Sequence, residues 1–414
     1  MSGFASGALA ELLVDGRIHR GWKTVKVSHS IECGAAKIDL DLTERWSRSE
    51  EPRRLRPGAA FKLLLQGDAV VEGFIDSVGA DYDDSTHAVT IAGRERTADL
   101  VDGAAVVDGP HEFRNLGLTE LVARLARPFG IAVRAETNVG RVFDKFALQP
   151  GEAAWEAIER ACRQRAVLAT GNGLGTLLLT RAGAGGAAAG AIVLGGPDGN
   201  VLSASGTFDA SGRHNIVVVR GQDAGASTAS DGLQYTRPAG STGPWTIAPG
   251  QDTPRTAPQG RQRGEGRAAD PALTRWRPQV IIAEAAGDGP TFQQRAEWAV
   301  RVAAGKARRV EYTVPGWRGG TGKLWAPNTR VQVADAFLDI EEELLIASVN
   351  FVLGDQGSTT VLECTLPDAY ALIAEAPKGR RGTSSPLSDG VQSRAAGSND
   401  PWRPVTPPPT PSTP

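Results

Sequence analysis

Apolar and polar positions alternate with a period of two through the last third of the chain. Residues 310–314 alternate and stop at Pro315-Gly316. Residues 330–333 alternate, 344–353 form a longer apolar run, and 359–366 alternate again. Side chains on a strand point to opposite faces in turn. Such runs, bounded by Gly, Asp, Asn and Pro, predict antiparallel strands. The Gly-Asp-Gln-Gly-Ser segment at 354–358 predicts a hairpin between the last two. The stretch from Arg309 to Pro367 reads as part of a closed or nearly closed β-barrel, an arrangement that removes exposed edges.

The pattern occurs twice. Ile75-Asp76-Ser77-Val78 matches Ile346-Ala347-Ser348-Val349. Each is followed by a polar turn and a further alternating run, from Val89 and from Val361. An internal repeat of this kind predicts two similar small barrels in one subunit.

Residues 1–104 read as the first barrel. Asp15-Gly16 predicts a hairpin between 9–14 and 17–19, and alternating runs follow at 23–28, 36–42, 61–65, 70–78 and 88–93. A charged loop with proline is expected over 47–57.

Residues 105–190 change to a mixed α/β insert. Leu118, Leu121, Val122 and Leu125 recur at helical spacing, and Gly130 follows as a helix stop. A second helix is expected from Pro150-Gly151-Glu152, with Trp155, Ile158, Glu159 and Cys162 along one side, then a hairpin across Gly171-Asn172-Gly173. The small-residue stretch 181–190 is expected to be flexible.

Residues 191–221 are expected to open the second barrel, with strands at 192–194, 201–209 and 215–220. Residues 222–306 hold a Gly/Pro-rich insertion and a helix over 291–306, and 307–372 complete the barrel. Within 222–278 the apolar anchors are few beyond Tyr235, Trp245 and Trp276, which predicts poor order for that segment alone. Residues 373–414 end in PVTPPPTPSTP, a disordered or polyproline-II tail. The fold class is therefore mainly β with α/β insertions.

Charge removes several function classes. The 45 basic and 47 acidic residues leave a net charge of −2, without the basic excess of a dedicated nucleic-acid binder. The 50 glycines and 26 prolines suit a turn-rich β protein. Cys33, Cys162 and Cys364 are far apart and form no C-x-x-C, which fits buried thiols in a reducing cytosol rather than zinc ligands or a disulfide framework. The N-terminus lacks a basic region and a long apolar core, so no signal peptide is expected. No stretch is apolar enough to span a membrane.

Candidate chemistry is thin. The glycine run 171–175 follows a helix and a strand and precedes another strand. A phosphate loop must instead open a helix, so the run reads as a hairpin. Asp39, Asp41 and Glu44 share an outer strand face, and Asp81, Asp83 and Asp84 sit in a turn that uses Asp for local hydrogen bonds. His111-Glu112 lacks the second His of a zinc-protease helix, and Gly-x-Ser-x-Gly is absent. Glu341-Glu342-Glu343 reads as a solvated turn. No catalytic residue, cofactor or metal is expected. Trp317 and Trp325 fall in loops between strands, positions where an indole anchors either a core or a subunit contact.

Three stretches resemble the tail baseplate hub proteins of Mu-like phages, a family related in fold to the T-even hub and to the late control D proteins. The first runs from Gly16 to Trp46, with Gly21-Trp22 and the ending Leu40-Asp41-Leu42-Thr43-Glu44-Arg45-Trp46. The second runs from Phe146 to Arg181 and holds Trp155. The third runs from Val314 to Tyr370, with Gly316-Trp317-Arg318 and Gly322-Lys323-Leu324-Trp325-Ala326-Pro327-Asn328.

The resemblance implies a non-enzymatic homotrimer whose six barrels match a hexameric tail tube on one side and hold a trimeric spike on the other. Phage DNA would cross its lumen without sequence-specific binding. The family motifs carried onto this chain are Trp22, Trp46, Trp155, Gly316, Trp317, Gly322, Trp325, Pro327 and Asn328, as structural residues. The implied partners are further copies of the chain, the spike, the tube or distal tail protein and other baseplate proteins. The implied place is the virion tail after assembly in the host cytoplasm. The 222–278 insertion and the tail are departures, expected to become ordered against neighbouring tail proteins. The competing readings are a tail-associated cell-wall hydrolase, which needs a carboxylate pair or zinc triad, and the hub of a bacterial contractile injection system.

Overall fold

A computed structural model describes residues 9–44, 55–82, 87–107, 109, 111–221, 235–236, 246–247, 265–283 and 291–373. Trp46, Asp83, Asp84, Trp245 and the Pro-rich tail lie outside the described residues, as does the side chain of Glu44.

The first seven strands are β1 (Ala10–Val14), β2 (Arg17–His19), β3 (Thr24–Ser30), β4 (Lys37–Glu44), β5 (Ala60–Leu65), β6 (Asp68–Tyr82) and β7 (His87–Glu95). Alternation decides their faces: Ala10, Leu12 and Val14 of β1 are buried while Glu11 and Leu13 are only partly so. Asp15 and Gly16 both take positive φ, as the tight β1–β2 turn requires. Asp39 and Asp41 lie on the exposed face of β4, opposite buried Ile38, Leu40 and Leu42.

The insert follows with α1 (Ala98–Asp102), β8 (Glu112–Leu116), α2 (Leu118–Ala126), β9 (Ala132–Ala135), β10 (Phe143–Ala147), α3 (Ala154–Arg163), β11 (Leu168–Gly171) and β12 (Thr176–Thr180). Helix α2 buries Leu118, Leu121, Val122 and Leu125, and the chain leaves it through left-handed Gly130. Helix α3 starts later than its sequence suggests, and its buried stripe is Ala154, Ala157, Ile158, Ala161 and Cys162. Trp155 flanks that stripe, and Glu159 faces solvent. These residues share a core separate from that of the main sheet.

The remaining elements are β13 (Ile192–Val193), β14 (Ser203–Phe208), β15 (Ile216–Gly221), β16 (Tyr235–Thr236), β17 (Thr246–Ile247), β18 (Glu265–Ala269), β19 (Pro278–Ala283), α4 (Phe292–Lys306), β20 (Arg308–Pro315), β21 (Arg330–Asp335), β22 (Ile340–Gly354) and β23 (Gly357–Thr365). Thr291 and Gln294 form a reciprocal capping box that starts α4.

Four expectations are corrected here. The 215–220 run does not join the second half's strands. As β15 it is the middle strand of a separate sheet, antiparallel to β18 and parallel to β19, under α4. Ile216, Val217, Val218 and Val219 are all buried, as a strand covered on both faces requires. Part of the 222–278 segment, β18, is built into that sheet by pairing with β15, and the partly buried Arg213–Asp270 ion pair at 2.7 Å follows it. Glu341 to Glu343 belong to β22, not a turn, and Glu343 pairs with Arg330 at 3.0 Å. The glycine-rich 181–190 stretch is pinned against β21: Ala188 N donates to Arg330 O, and Arg330 N to Gly186 O, both at 2.8 Å. Small residues permit that approach, since a Cβ on Gly185 would stand 2.7 Å from Asn328 O.

The main 13-stranded sheet holds the repeat. Its first half runs β3-β4-β7-β6-β5-β1 and its second half β14-β20-β23-β22-β21-β13, the same order from corresponding strands. In both halves the long strand shifts register within the repeated motif. β6 does so between Ile75 and Ser77 against β7, and β22 between Ile346 and Ser348 against β23. One extra residue at an equivalent place bends both strands alike. The ends differ, since β1 runs antiparallel to β5 but β13 parallel to β21.

Candidate assembly site

The two halves meet along one strand pair. Residues 25–30 of β3 lie antiparallel to residues 348–353 of β22, from Ser30 opposite Ser348 to Val25 opposite Leu353. The C-terminal part of β22 thus has β23 on one side and β3 on the other. The halves share one buried core through Val25, Val27, Val349 and Phe351.

A loop after β20 locks this seam. Pro315 ends the strand and Gly316, at φ +70°, turns the chain so that Trp317 points inward. The Trp317 indole is fully buried, stands edge-on to Phe351 at 6.5 Å and donates to Val352 O at 3.1 Å. Trp325 is also buried, its backbone N donating to Trp317 O at 3.2 Å. Both indoles therefore belong to the core of this chain rather than to a surface open to a second subunit.

Between them, Gly322 at φ +77° closes a tight turn that aims Arg318 outward. Arg318 donates to Gln66 Oε1 at 2.9 Å and to Asp68 Oδ2 at 2.7 Å, in the β5–β6 turn of the other half. Pro327 lines an open cavity with Trp325, Asn328, His29 and Asn172.

Asn328 ties the second half to the connector from the insert. It adopts φ +63°, which Asn tolerates better than most residues. Its side chain accepts from Gly183 N at 2.8 Å and donates to Arg181 O at 3.0 Å, while its own N donates to Ile346 O at 2.8 Å. Trp22 packs into the main core, and Trp155 of α3 lies against Gly34 in the β3–β4 turn, where a Cβ would stand 3.0 Å from the ring.

Sequence reasoning missed the residue that anchors the insert. Glu95 is almost completely buried, and its carboxylate accepts from Ala36 N at 3.1 Å, Gly173 N at 3.0 Å and Gly175 N at 3.2 Å. The glycine run 171–175 is the β11–β12 hairpin. It does cradle an acidic group, and that group is the carboxyl of the chain's own Glu95. Burial raises the Glu95 carboxyl above the usual range, against the opposing pull of these amides. At the same hairpin a ring nitrogen of His29 lies 3.0 Å from Gly171 O, and burial lowers its pKa. A lone Glu between Arg94 and Arg96 carries the signature of a surface residue, so only its position could reveal it.

Among the described residues no three His, Cys, Asp or Glu side chains are grouped to hold a metal ion. Burial pushes the Cys162 thiol up to about 12 and raises that of Cys364, whereas Cys33 is exposed, against the expectation of three buried thiols. No helix among the described residues is long and apolar enough to cross a membrane.

Comparison with known proteins matches this architecture segment by segment. The N-terminal domain of Mu phage baseplate assembly protein GpP-like sequences matches residues 10–95. The second domain of baseplate hub protein gp44-like sequences matches 97–181, and the fourth domain of GpP matches 290–373. Baseplate hub protein gp44 of Escherichia phage Mu is 31% identical over 380 residues, covering 90% of this chain and 92% of that protein. The chain belongs to the Mu baseplate hub family.

This hub protein is thus a structural component of a phage tail baseplate. The crystal structure of the 43 kDa tail protein of prophage MuSo2 from Shewanella oneidensis is similar to it with a TM-score of 0.68 and 29% identity, over 88% of this chain and 99% of that one. The tail protein from Neisseria meningitidis MC58 shares the fold at a TM-score of 0.66 and 18% identity, over 88% and 98%.

Proposed function

We propose that three copies of this hub form a ring in which each contributes two barrel-like halves. The ring presents six similar modules to a hexameric tail tube and three identical subunits to a trimeric spike. One observation carries the reading. The two halves repeat the same six-strand order and the same bulge within one chain, which is how a trimer acquires approximate six-fold symmetry.

The work done is geometric: matching symmetry, sealing the tube end and holding the spike until ejection. DNA passes through the lumen without sequence readout, and the near balance of charges, −2 in total, suits a channel that must not retain it. The implied domains, an N-terminal barrel, a mixed insert and a second barrel interrupted by the β15–β18–β19 unit, supply the ring and its outer attachments. Trp22, Trp317, Trp325 and Asn328 serve it by holding the halves in fixed relation. The protein acts in the virion tail, assembled in the host cytoplasm beside its baseplate neighbours.

The test is solution mass by light scattering across a concentration series, with and without the spike protein. A trimer, or a monomer driven to a trimer by the spike, is expected. A chain that stays monomeric in both conditions would refute the ring.

A further inference from the structure

The seam inside the chain has two open counterparts on its surface. The half of β6 that corresponds to residues 348–353 of β22 is 77–82, since Ser77 follows the same bulge as Ser348. β22 has β3 against it there. β6 has β7 on one side and, beyond the β5 pairing that ends at Phe74, no strand on the other among the described residues. Ser77, Ala80 and Asp81 are exposed, whereas Ser348, Val349 and Phe351 are buried.

The counterpart of β3 is β14. β3 pairs with β4 as β14 pairs with β20, each at the end of its half. Even the entry bond is kept: Lys23 N donates to Asp41 O and Leu202 N to Thr313 O, both at 2.8 Å. All six residues of β14 are exposed. Its sequence, Ser-Ala-Ser-Gly-Thr-Phe, has neither a charge nor a proline to block another strand, the devices by which proteins normally guard an edge. Large apolar side chains stand in the open at its two ends, Leu202 just before it at 59% and its own Phe208 at 52% exposure, and Phe337 is 86% exposed. Phe337 lies in the β21–β22 turn, the equivalent of the β5–β6 turn that Arg318 covers inside the chain.

From these two open edges we infer that β14 of one copy adds antiparallel to residues 77–82 of β6 in the next copy, in the register of the internal seam. Mapping β3 onto β14 and β22 onto β6 places Val78 opposite Phe208, Gly79 opposite Thr207 and Asp81 opposite Ser205. The occupant is a second copy of this chain, because the internal seam already shows the two surface types fitting each other. The contact is head-to-tail, so each copy offers one edge of each kind and the association either closes or runs on. This inference rests on the ring reading and names its interface.

The test is disulfide trapping in the full-length chain carrying Cys33→Ser, since Cys33 is exposed while Cys162 and Cys364 are buried. Two in-register pairs, Val78→Cys with Phe208→Cys and Asp81→Cys with Ser205→Cys, are compared with the shifted pair Val78→Cys with Ser205→Cys. Unchanged circular dichroism spectra verify folding. After mild oxidation, both in-register pairs should give covalent species ending at three chains on a non-reducing gel. The shifted pair and the single variants should run as monomers.

A trimer by light scattering with no cross-link at either in-register pair would overturn the strand pairing and leave the ring intact. An intramolecular link, or efficient trapping of the shifted pair, would also overturn it. A ladder running past three chains would uphold the pairing and overturn the closed trimer. A chain monomeric at every concentration, without cross-links, would overturn both.

Discussion

Arg318 and Asp68, 250 positions apart, meet at 2.7 Å across the seam between the two halves. The same guanidinium also holds Gln66 Oε1 and the Gly322 carbonyl, so one side chain clamps its own loop and a turn of the other half. Because the pair is partly solvated, Arg318→Ala should cost only about 1 kcal/mol in urea unfolding. Arg318→Lys should not restore it, since an ammonium cannot reproduce the fork geometry.

Trp317 should matter more. Its indole is fully buried and its Nε1 satisfies Val352 O beside the seam. Trp317→Ala should lower unfolding free energy by about 3–5 kcal/mol. Trp317→Phe should lose less, because it keeps most of the volume while leaving the carbonyl without its donor. Chemical denaturation of the purified chain measures both.

Glu95 couples the insert to pH. Burial raises its folded pKa, so the unfolded chain gives up its proton first as pH increases. Its contribution to stability is therefore present in acid and lost as pH climbs from the ordinary glutamate range to the folded value. Glu95→Gln should flatten this part of the stability–pH curve. Glu95→Ala should strand three backbone N–H groups, cost about 3 kcal/mol, and speed hydrogen exchange over 171–176.

His29 acts with the opposite slope. Its folded pKa lies below the ordinary value, so as pH falls below about 6.5 the unfolded chain binds a proton first and stability declines. His29→Gln should remove that decline, measured as the difference between thermal midpoints at pH 7 and at pH 5.5.

Much of the fold was legible because alternation is a local signal. Strands β1, β4, β20 and β23 announce themselves through it, and Asp15-Gly16 names its own hairpin. The repeat was visible in Ile75 and Ile346 and their neighbours. That these residues flank a bulge was not, since register depends on the partner strand. Strand β15 was read as a strand but assigned to the wrong sheet. Four consecutive buried residues specify burial on both faces and say nothing of which neighbours supply it. The connector 181–190 was read as flexible from its glycines, which instead let it lie against Asn328 and Arg330. The seam contacts were least legible, because Arg318 with Asp68 and Glu95 with Gly173 join residues distant in sequence through spacings that carry no pattern.

The β3–β22 seam also sets an order on synthesis. Ser30 leaves the ribosome long before Ser348, its partner across the sheet. At translation rates of about 5–20 residues per second, the nascent first half waits on the order of 15–60 s with the outer side of β3 unpaired. During that interval the N-terminal segment is a bare strand edge in a crowded polysome, where neighbouring nascent chains carry the same edge. Protection in that window falls to whatever reaches β3 first: a chaperone, a sister chain, or the chain's own late-arriving β22.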